Sequence, residues 1–173
     1  MKTLYLIRHA KSDWSDPLLD DFDRGLNERG KLDAPLMGEV LSRKLISPNL
    51  ILSSPALRAK LTAQIIAEKL SYPIDTIVFE RSLYASEPET LFALIRQIPD
   101  TIDTLMIFGH NPELTESLNL LCGTMIENIP TCGAAAMRLY DKSWKNIGPD
   151  SAELLFLERP KTYRKKEVRK NGV

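Results

Sequence analysis

The chain has 173 residues, of which 43% are hydrophobic and 27% are charged, enough material for one domain with a sizeable buried core. Its 23 Lys and Arg residues balance 23 Asp and Glu residues, which argues against a strongly basic nucleic-acid-binding protein and against an acidic disordered chain. Because no apolar run approaches the roughly 20 residues that a membrane-spanning helix needs, we expect neither a membrane nor a nucleic acid as a partner.

The first apolar run, residues 4–7, predicts a β-strand. It is too short for the core of a secretory leader, and Arg8 and His9 follow it at once. Cys122 and Cys132 lack the spacing of a metal site and are too few for a disulfide scaffold. We therefore expect reduced thiols and a cytoplasmic protein. We also expect a monomer or weak dimer.

Asn27 is predicted to cap a helix, and Pro35 should kink that helix or mark its effective start. Apolar residues recur there at a spacing of four, which is typical of a helix with one buried face. These residues are Leu32, Leu36, Val40, Met37, Leu41 and Leu45. Residues 50–52 then form a short buried strand, after which Ser54 caps a helix with Pro55 at its first position.

The second half of the chain continues the alternation of strands and helices. Residues 74–79 and 104–108 read as strands, and two more lie near 134–140 and 152–158. A capping box from Ser86 to Glu89 opens one helix, and Asn111-Pro112 begins another. Their inward residues are Leu91, Leu94, Ile95 and Ile98 in the first and Leu114, Leu118 and Leu121 in the second.

This alternation predicts an α/β fold, a three-layer sandwich whose mostly parallel central sheet carries helices on both faces. We expect a single domain over residues 1–159. Residues 160–173 form a basic tail with six Lys or Arg residues against one Glu. Either a solvated tail or docking on an acidic partner is compatible with that charge.

In folds of this kind, ligands bind outside the carboxyl ends of the strands. The first three apolar strands end in Arg8-His9, Ser53-Ser54 and Gly109-His110, and the chain has only two histidines. A guanidinium group such as that of Arg8 is seldom placed at a buried strand end without an anionic partner. Arg58 falls in the first turn of the following helix, where a cation becomes favourable once an anion is bound beside it.

Two arginines and two histidines at strand ends together indicate a pocket for a phosphoryl group. Arginine offers planar, bidentate donors to phosphate oxygens. A neutral imidazole can attack phosphorus and hold the phosphoryl group covalently, and surrounding positive charge stabilises the transition state.

Three segments resemble the motifs of the histidine phosphatase superfamily. Residues 6–12 resemble its Arg-His-Gly signature, residues 53–59 with Thr62 its second motif, and residues 108–112 its third. Any one of them would be a weak signal, but the three in order are specific.

Further likeness, over residues 21–30 and 129–131, is to the smaller SixA-type phosphohistidine phosphatases, and the resemblance spans about residues 3–158. It implies the phosphoglycerate mutase-like form of the fold and a reaction that uses no metal and no cofactor.

The resemblance also implies roles for individual residues. His9 would become the phosphohistidine, and Arg8, Arg58 and His110 would bind the phosphoryl oxygens. Lys11, Ser12 and Asn111 border this pocket as further phosphate-binding candidates, although Asn111 reads first as a helix cap. Ala10 stands where the superfamily usually has glycine, so a backbone angle open only to glycine would be strained there.

No residue matches a general acid securely. Glu80, Glu87 and Glu113 are weak candidates, and each reads as a surface or capping residue. Acid assistance is typically worth about 10²–10⁴-fold for a leaving alkoxide, whereas a phosphorylated imidazole leaves readily once its ring is protonated. Short connections also leave the site open. We therefore favour a protein phosphohistidine substrate over a sugar phosphate.

Three alternatives remain open. A small-molecule phosphomonoesterase of the same superfamily would prefer small phosphate esters. A non-catalytic phosphate-binding module would bind phosphate tightly without forming an acid-labile phosphoenzyme. Nucleotide binding on a Rossmann-like sheet is disfavoured, because the first turn, residues 8–12, lacks the glycines that admit a pyrophosphate.

Overall fold

Strands and helices alternate along the computed structural model, which describes residues 1–164. The strands are β1 (Thr3–Arg8), β2 (Leu50–Ser53), β3 (Val78–Phe79), β4 (Thr104–Gly109), β5 (Ala134–Leu139) and β6 (Ala152–Glu158). The helices are α1 (Glu28–Arg43), α2 (Leu57–Lys69), α3 (Pro88–Ile95) and α4 (Glu113–Cys122). Short 3₁₀ turns cover Asp21–Asp23, Ile74–Thr76, Arg81–Leu83 and Trp144–Asn146.

The strands form one sheet in the order β3-β2-β4-β1-β5-β6. The first four are parallel to one another, and β5 runs antiparallel to both β1 and β6. The mostly parallel sheet predicted from the sequence is therefore confirmed. Register places Arg8 opposite Gly109 and Ser53 opposite Phe108, so the carboxyl ends of β1, β4 and β2 meet at one edge.

A separate hydrophobic cluster covers each face of the sheet, because successive strand residues point to opposite sides. In β1, Leu4 and Leu6 join α3 and α4, while Tyr5 and Ile7 join α1 and α2. Burial of these apolar side chains supplies most of the stabilisation of such a domain. The predicted sandwich with helices on both faces is thus confirmed.

Helix α1 begins where its cap predicts, because the side chain of Asn27 accepts from the backbone N–H of Gly30 at 2.9 Å. Pro35 lies inside the helix and marks no start. The predicted apolar face is wrong at its two ends, since Leu32 is 69% and Leu45 91% exposed. Leu32 lies opposite the buried stripe of α1, and Leu45 falls beyond the last turn.

Two other local predictions are also corrected. Residues 74–79 form a 3₁₀ turn and a two-residue strand rather than one long strand, since β3 pairs with β2 over only two positions. Ser86 does not cap α3, because Glu87 occupies the cap position and makes no side-chain bond there. Pro88 at the first helical position fixes that start.

The beginning of the predicted basic tail packs on the domain. Residues 160–164 are helical, the Tyr163 hydroxyl donates to Glu158 at 2.7 Å, and Arg164 lies 3.1 Å from buried Asp33. The rest of the tail, residues 165–173, lies outside the described residues, and a domain boundary at residue 160 stays a prediction.

Neither Cys122 nor Cys132 is in a disulfide. Within residues 1–164, no helix is long and apolar enough to cross a membrane. The same residues contain no group of three or more His, Cys, Asp or Glu side chains placed to hold a metal ion.

Candidate active site

The three strand ends singled out in the sequence lie side by side. The backbone N–H of His9 donates to the carbonyl of Gly109 at 3.1 Å, and that of Ser54 donates to the carbonyl of Phe108 at 2.9 Å. The rings of His9 and His110 are 5.1 Å apart between centroids. The parallel register thus brings both histidines to one edge of the sheet.

His9 is held as a neutral ring with one defined tautomer. It is buried, and its Nδ1 lies 2.7 Å from the carbonyl oxygen of Ala10. Because a carbonyl oxygen only accepts, Nδ1 carries the proton and Nε2 keeps its lone pair. Burial lowers the pKa of His9 to about 4, with the contact to Ala10 opposing the shift and the nearby charges of Arg58, Arg8 and Arg24 adding to it. The ring is therefore an unprotonated base at neutral pH.

Ala10 does not have a backbone angle open only to glycine, so the strain that such an angle would cause does not arise. Its backbone φ is not positive, its side chain is fully buried, and its N–H donates to the Thr62 hydroxyl at 2.9 Å. That hydroxyl in turn donates to the carbonyl of Arg58 at 2.7 Å. Thr62 therefore ties the first motif to the helix that carries Arg58.

His110 has the opposite tautomer. Its Nδ1 accepts from Nη2 of Arg58 at 3.3 Å, and its Nε2 lies 2.8 Å from the Ser54 hydroxyl. A guanidinium group can only donate, so the proton of His110 is on Nε2. Burial, together with the nearby His9 and Arg58, lowers the pKa of His110 to about 3.

Arg58 lies in the first turn of α2, but the start of that helix differs from the prediction. Ala56, still extended, is the cap residue, so neither Ser54 nor Pro55 begins the helix. The Ser54 hydroxyl accepts only a long bond, 3.3 Å, from the Ala56 N–H. Its other partner is His110, and this contact from a distant strand displaces the predicted capping role.

Asp21, which was not among the site residues predicted from the sequence, anchors Arg58. Arg58 donates to the Asp21 carbonyl at 2.6 Å and to its carboxylate at 2.9 Å. The same carboxylate accepts from Arg24 and, at 2.9 Å, from the Tyr84 hydroxyl. Burial opposes its ionisation, but the bonds from Arg24 and Tyr84 and the charge of Arg58 hold the pKa of Asp21 well below its usual range.

Arg24 was also missed. Its guanidinium is buried, stacks 3.3 Å over the ring of Trp14 and donates to the Ser12 hydroxyl at 3.3 Å. Its Nε has no hydrogen-bond partner among residues 1–164. The available signal was the run of acidic and basic residues in segment 21–30, which carried the family likeness without indicating a role.

The Arg8 side chain extends toward residues 128–129, away from the contacts of Arg58. Its Nη1 donates to the Asn128 side chain and to the Ile129 carbonyl, both at 2.9 Å. Its charge nevertheless lowers the pKa of both His9 and His110. The structure therefore brings His9, Arg58 and His110 into contact, while Arg8 adjoins His9 in the chain and its side chain bonds Asn128 and Ile129.

The three bordering candidates have different environments. Both amide hydrogens of Asn111 are used, on Asn128 at 2.9 Å and on the Ile129 carbonyl at 3.0 Å, and Pro112 takes the cap position of α4. Asn111 thus stabilises the segment of residues 128–129 and does not cap α4. Ser12 is buried against Arg24, whereas Lys11 has an exposed side chain and a carbonyl that accepts from the Asn27 N–H.

Among the candidate acids, Glu113 is not a surface residue. It is 3% exposed, at the first position of α4. Burial raises the pKa of Glu113 to about 7. Hydrogen bonds to its carboxylate from its own backbone N–H and from that of His110 oppose this rise. Glu87 is exposed at the cap position of α3, and Glu80 is partly buried after β3.

Comparison with known proteins identifies the family. A sequence profile of the histidine phosphatase superfamily (branch 1) matches residues 4–116. An uncharacterised chloroplastic protein of Arabidopsis thaliana is 34% identical over 172 residues, covering 92% of this chain and 78% of that protein.

Two solved structures share the fold. A protein assigned as the phosphohistidine phosphatase SixA of Agrobacterium tumefaciens superposes with a TM-score of 0.77 at 29% identity, covering 92% of this chain and 98% of that one. The protein histidine phosphatase SixA in complex with tungstate superposes with a TM-score of 0.81 at 19% identity, covering 93% and 99%. The resemblance inferred from the motifs is confirmed, and the chain belongs to the histidine phosphatase superfamily, branch 1.

Proposed function

We propose that this chain is a phosphatase that removes the phosphoryl group from phosphohistidine on proteins, through a covalent phosphohistidine at His9. One observation carries the proposal. His9 is a neutral ring whose Nδ1 is fixed on the Ala10 carbonyl, and its free nitrogen, Nε2, belongs to a site surrounded by guanidinium groups.

The charge of this site suits a phosphoryl dianion. Arg8, Arg24 and Arg58 all act on the pKa of His9, while Asp21 is the carboxylate that pairs with Arg24 and Arg58. With both histidines neutral, this network has a net charge of about +2, the opposite of a dianionic phosphoryl group. We include Arg24 with Arg8, Arg58 and His110 among the groups that hold the phosphoryl oxygens. His110 does so by exchanging the Ser54 hydroxyl for a phosphoryl oxygen as the acceptor of its Nε2–H.

The reaction follows from the tautomer of His9. Nε2 attacks phosphorus while the bond between phosphorus and the substrate imidazole breaks. That imidazole, protonated on its other ring nitrogen before the attack, takes the electron pair and leaves as the neutral ring. The His9 ring becomes positively charged, and the Ala10 carbonyl stabilises the proton on Nδ1. Water then attacks phosphorus, the bond to Nε2 breaks, and inorganic phosphate is released with loss of one proton.

A phosphorylated imidazole is the favoured leaving group because it needs no strong acid beside it. Glu113 is the buried carboxyl near His110, and it contacts backbone N–H groups there. The proposal is also supported by the 29% identity to a protein assigned as a phosphohistidine phosphatase. Lys11 and Ser12 border the site, with Ser12 acting through Arg24.

The test is to trap the phosphoenzyme with a ³²P-labelled phosphohistidine protein. We expect an acid-labile, base-stable label in the wild type and none in His9→Ala, with no effect of a chelator. Lys142→Ala is the control, because Lys142 is exposed and lies outside the network around His9. Retained turnover in His9→Ala would contradict the mechanism.

Substrate class is tested by comparing kcat/KM for the phosphohistidine protein with that for phosphoserine and p-nitrophenyl phosphate. We expect a preference for phosphohistidine of about 10²-fold or more, since esters require acid assistance and Glu113, the buried carboxyl near His110, is engaged with backbone N–H groups. Equal or faster hydrolysis of the esters would indicate a small-molecule phosphomonoesterase. Tight phosphate binding without a phosphoenzyme would indicate a binding module.

A further inference from the structure

A basic groove of about 390 Å³ lies directly beside the candidate active site. The two share a wall, because Asn128, which accepts from Arg8, also lines the groove. The other lining residues are Ile126, Glu127, Pro130, Thr131, Arg159, Pro160, Lys161 and Arg164. The groove therefore begins where the phosphoryl pocket ends.

Cations outnumber anions along this groove. Arg159 and Lys161 are exposed, and neither has an ion-pair partner within residues 1–164. Arg164 faces the groove but pairs with Asp33 at 3.1 Å, and Glu127 is the acidic lining residue. Unpaired cations that lie together on a chain of zero net charge favour an anionic occupant.

We propose that this basic groove binds an acidic segment of the protein substrate, next to the phosphorylated histidine. The proposal rests on the proposed function. Asp and Glu carboxylates of the substrate pair with Arg159 and Lys161. The aliphatic parts of the substrate side chains pack on Ile126 and Pro130. Because these charges are exposed, they contribute mainly to capture of the substrate and little to the chemical step.

The kinetic test uses two phosphohistidine peptides of equal length, one with Asp and Glu beside the histidine and one with Ser and Gly there. The groove variant is Arg159→Glu with Lys161→Glu. We expect its kcat/KM for the acidic peptide to fall about tenfold, mostly through KM, with the neutral peptide changed less than about twofold. The control, Lys142→Glu with Lys145→Glu, reverses two exposed charges elsewhere on the surface and should leave the preference intact.

Binding of the unphosphorylated acidic peptide, followed by fluorescence anisotropy, separates failure of this proposal from failure of the proposed function. Salt-sensitive binding to the wild type that is lost in the groove variant supports the groove, even if neither peptide is hydrolysed. Hydrolysis of both peptides without a charge preference overturns the groove and leaves the phosphatase. Preferential binding of a single-stranded oligonucleotide over the acidic peptide also overturns it.

Discussion

Nη2 of Arg58 lies 3.3 Å from Nδ1 of His110, and this contact sets the tautomer of the second histidine. The guanidinium has no acceptor to offer, so the His110 proton is on the nitrogen that faces Ser54. His9 has its proton on the other nitrogen, because its partner is the Ala10 carbonyl. The two adjacent rings thus have complementary tautomers, and only His9 has a ring nitrogen free for attack.

Nitrogen-15 NMR of the two histidines tests this assignment. At pH 7 we expect both rings to be neutral, with the proton on Nδ1 in His9 and on Nε2 in His110. Since the pKa of His9 is lowered to about 4 and that of His110 to about 3, neither ring should titrate between pH 8 and pH 5. A ring that titrates near 6.5, the usual value for histidine, would contradict the burial and charge arguments.

Asp21→Asn should separate phosphate binding from turnover. The substitution keeps the shape of the side chain but removes the negative charge that faces Arg24 and Arg58. Inorganic phosphate should then inhibit about threefold to tenfold more tightly, because the site gains one net positive charge. We expect kcat to fall, since Arg58 loses its ionic anchor.

The matched control is Asp20→Asn, at the exposed neighbouring residue, which should change neither quantity. Weaker inhibition by phosphate in Asp21→Asn would mean that the anchoring of Arg58 outweighs the repulsion of the dianion by the Asp21 carboxylate.

Arg24→Lys tests whether the shape of the guanidinium matters beyond its charge. Lysine keeps the charge but cannot stack on Trp14 and bond Ser12 and Asp21 together. We expect kcat/KM to fall about tenfold, as for loss of a bidentate contact, and Trp14→Ala to raise KM by a smaller factor. Arg43→Lys serves as the control, because Arg43 is 73% exposed. Normal kinetics in Arg24→Lys would show that the guanidinium group of Arg24 does not contribute to phosphoryl binding.

Glu113→Gln should change how stability depends on pH. The folded state raises the pKa of Glu113 from 4.5 to about 7, so it binds the proton more tightly than the unfolded chain does. This group therefore makes the folded state less stable as pH rises from about 4.5 to 7, by up to about 3 kcal/mol. The variant lacks a titrating group and should lose that dependence.

Urea denaturation at pH 5 and pH 8 measures this effect as the difference between wild type and variant. That difference should shift with pH in favour of Glu113→Gln at pH 8. Glu68→Gln, an exposed change on α2 that does not act on Glu113, should follow the wild type at both pH values. A difference that stays constant with pH would show that Glu113 ionises normally.

Much of the site was predictable because its central residues follow strands directly. Arg8-His9 and Gly109-His110 each end an apolar run, and parallel neighbouring strands bring such ends to one edge. Arg58 could be placed in the first turn of its helix from Ser54-Pro55, although that helix begins two residues later. Local pattern and strand direction were enough for these positions.

Capping roles were less predictable because distant groups compete for the same atoms. The Ser54 hydroxyl is bonded to His110, and the Asn111 amide braces residues 128–129. In both cases, the hydrogen-bond partner is distant in sequence from the residue with which it bonds. Their local patterns were compatible with caps, but the packed chain offered stronger bonds elsewhere.

By itself, the sequence determined the α/β alternation and the placement of two histidines and two arginines at the ends of strands and at a helix start. Tertiary structure alone decided the anchoring of Arg58 by Asp21, the stacking of Arg24 and the burial of Glu113. Periodicity is a local property that short stretches reveal. Charge pairing, tautomers and desolvation depend on neighbours from several distant segments, which meet only when the chain folds.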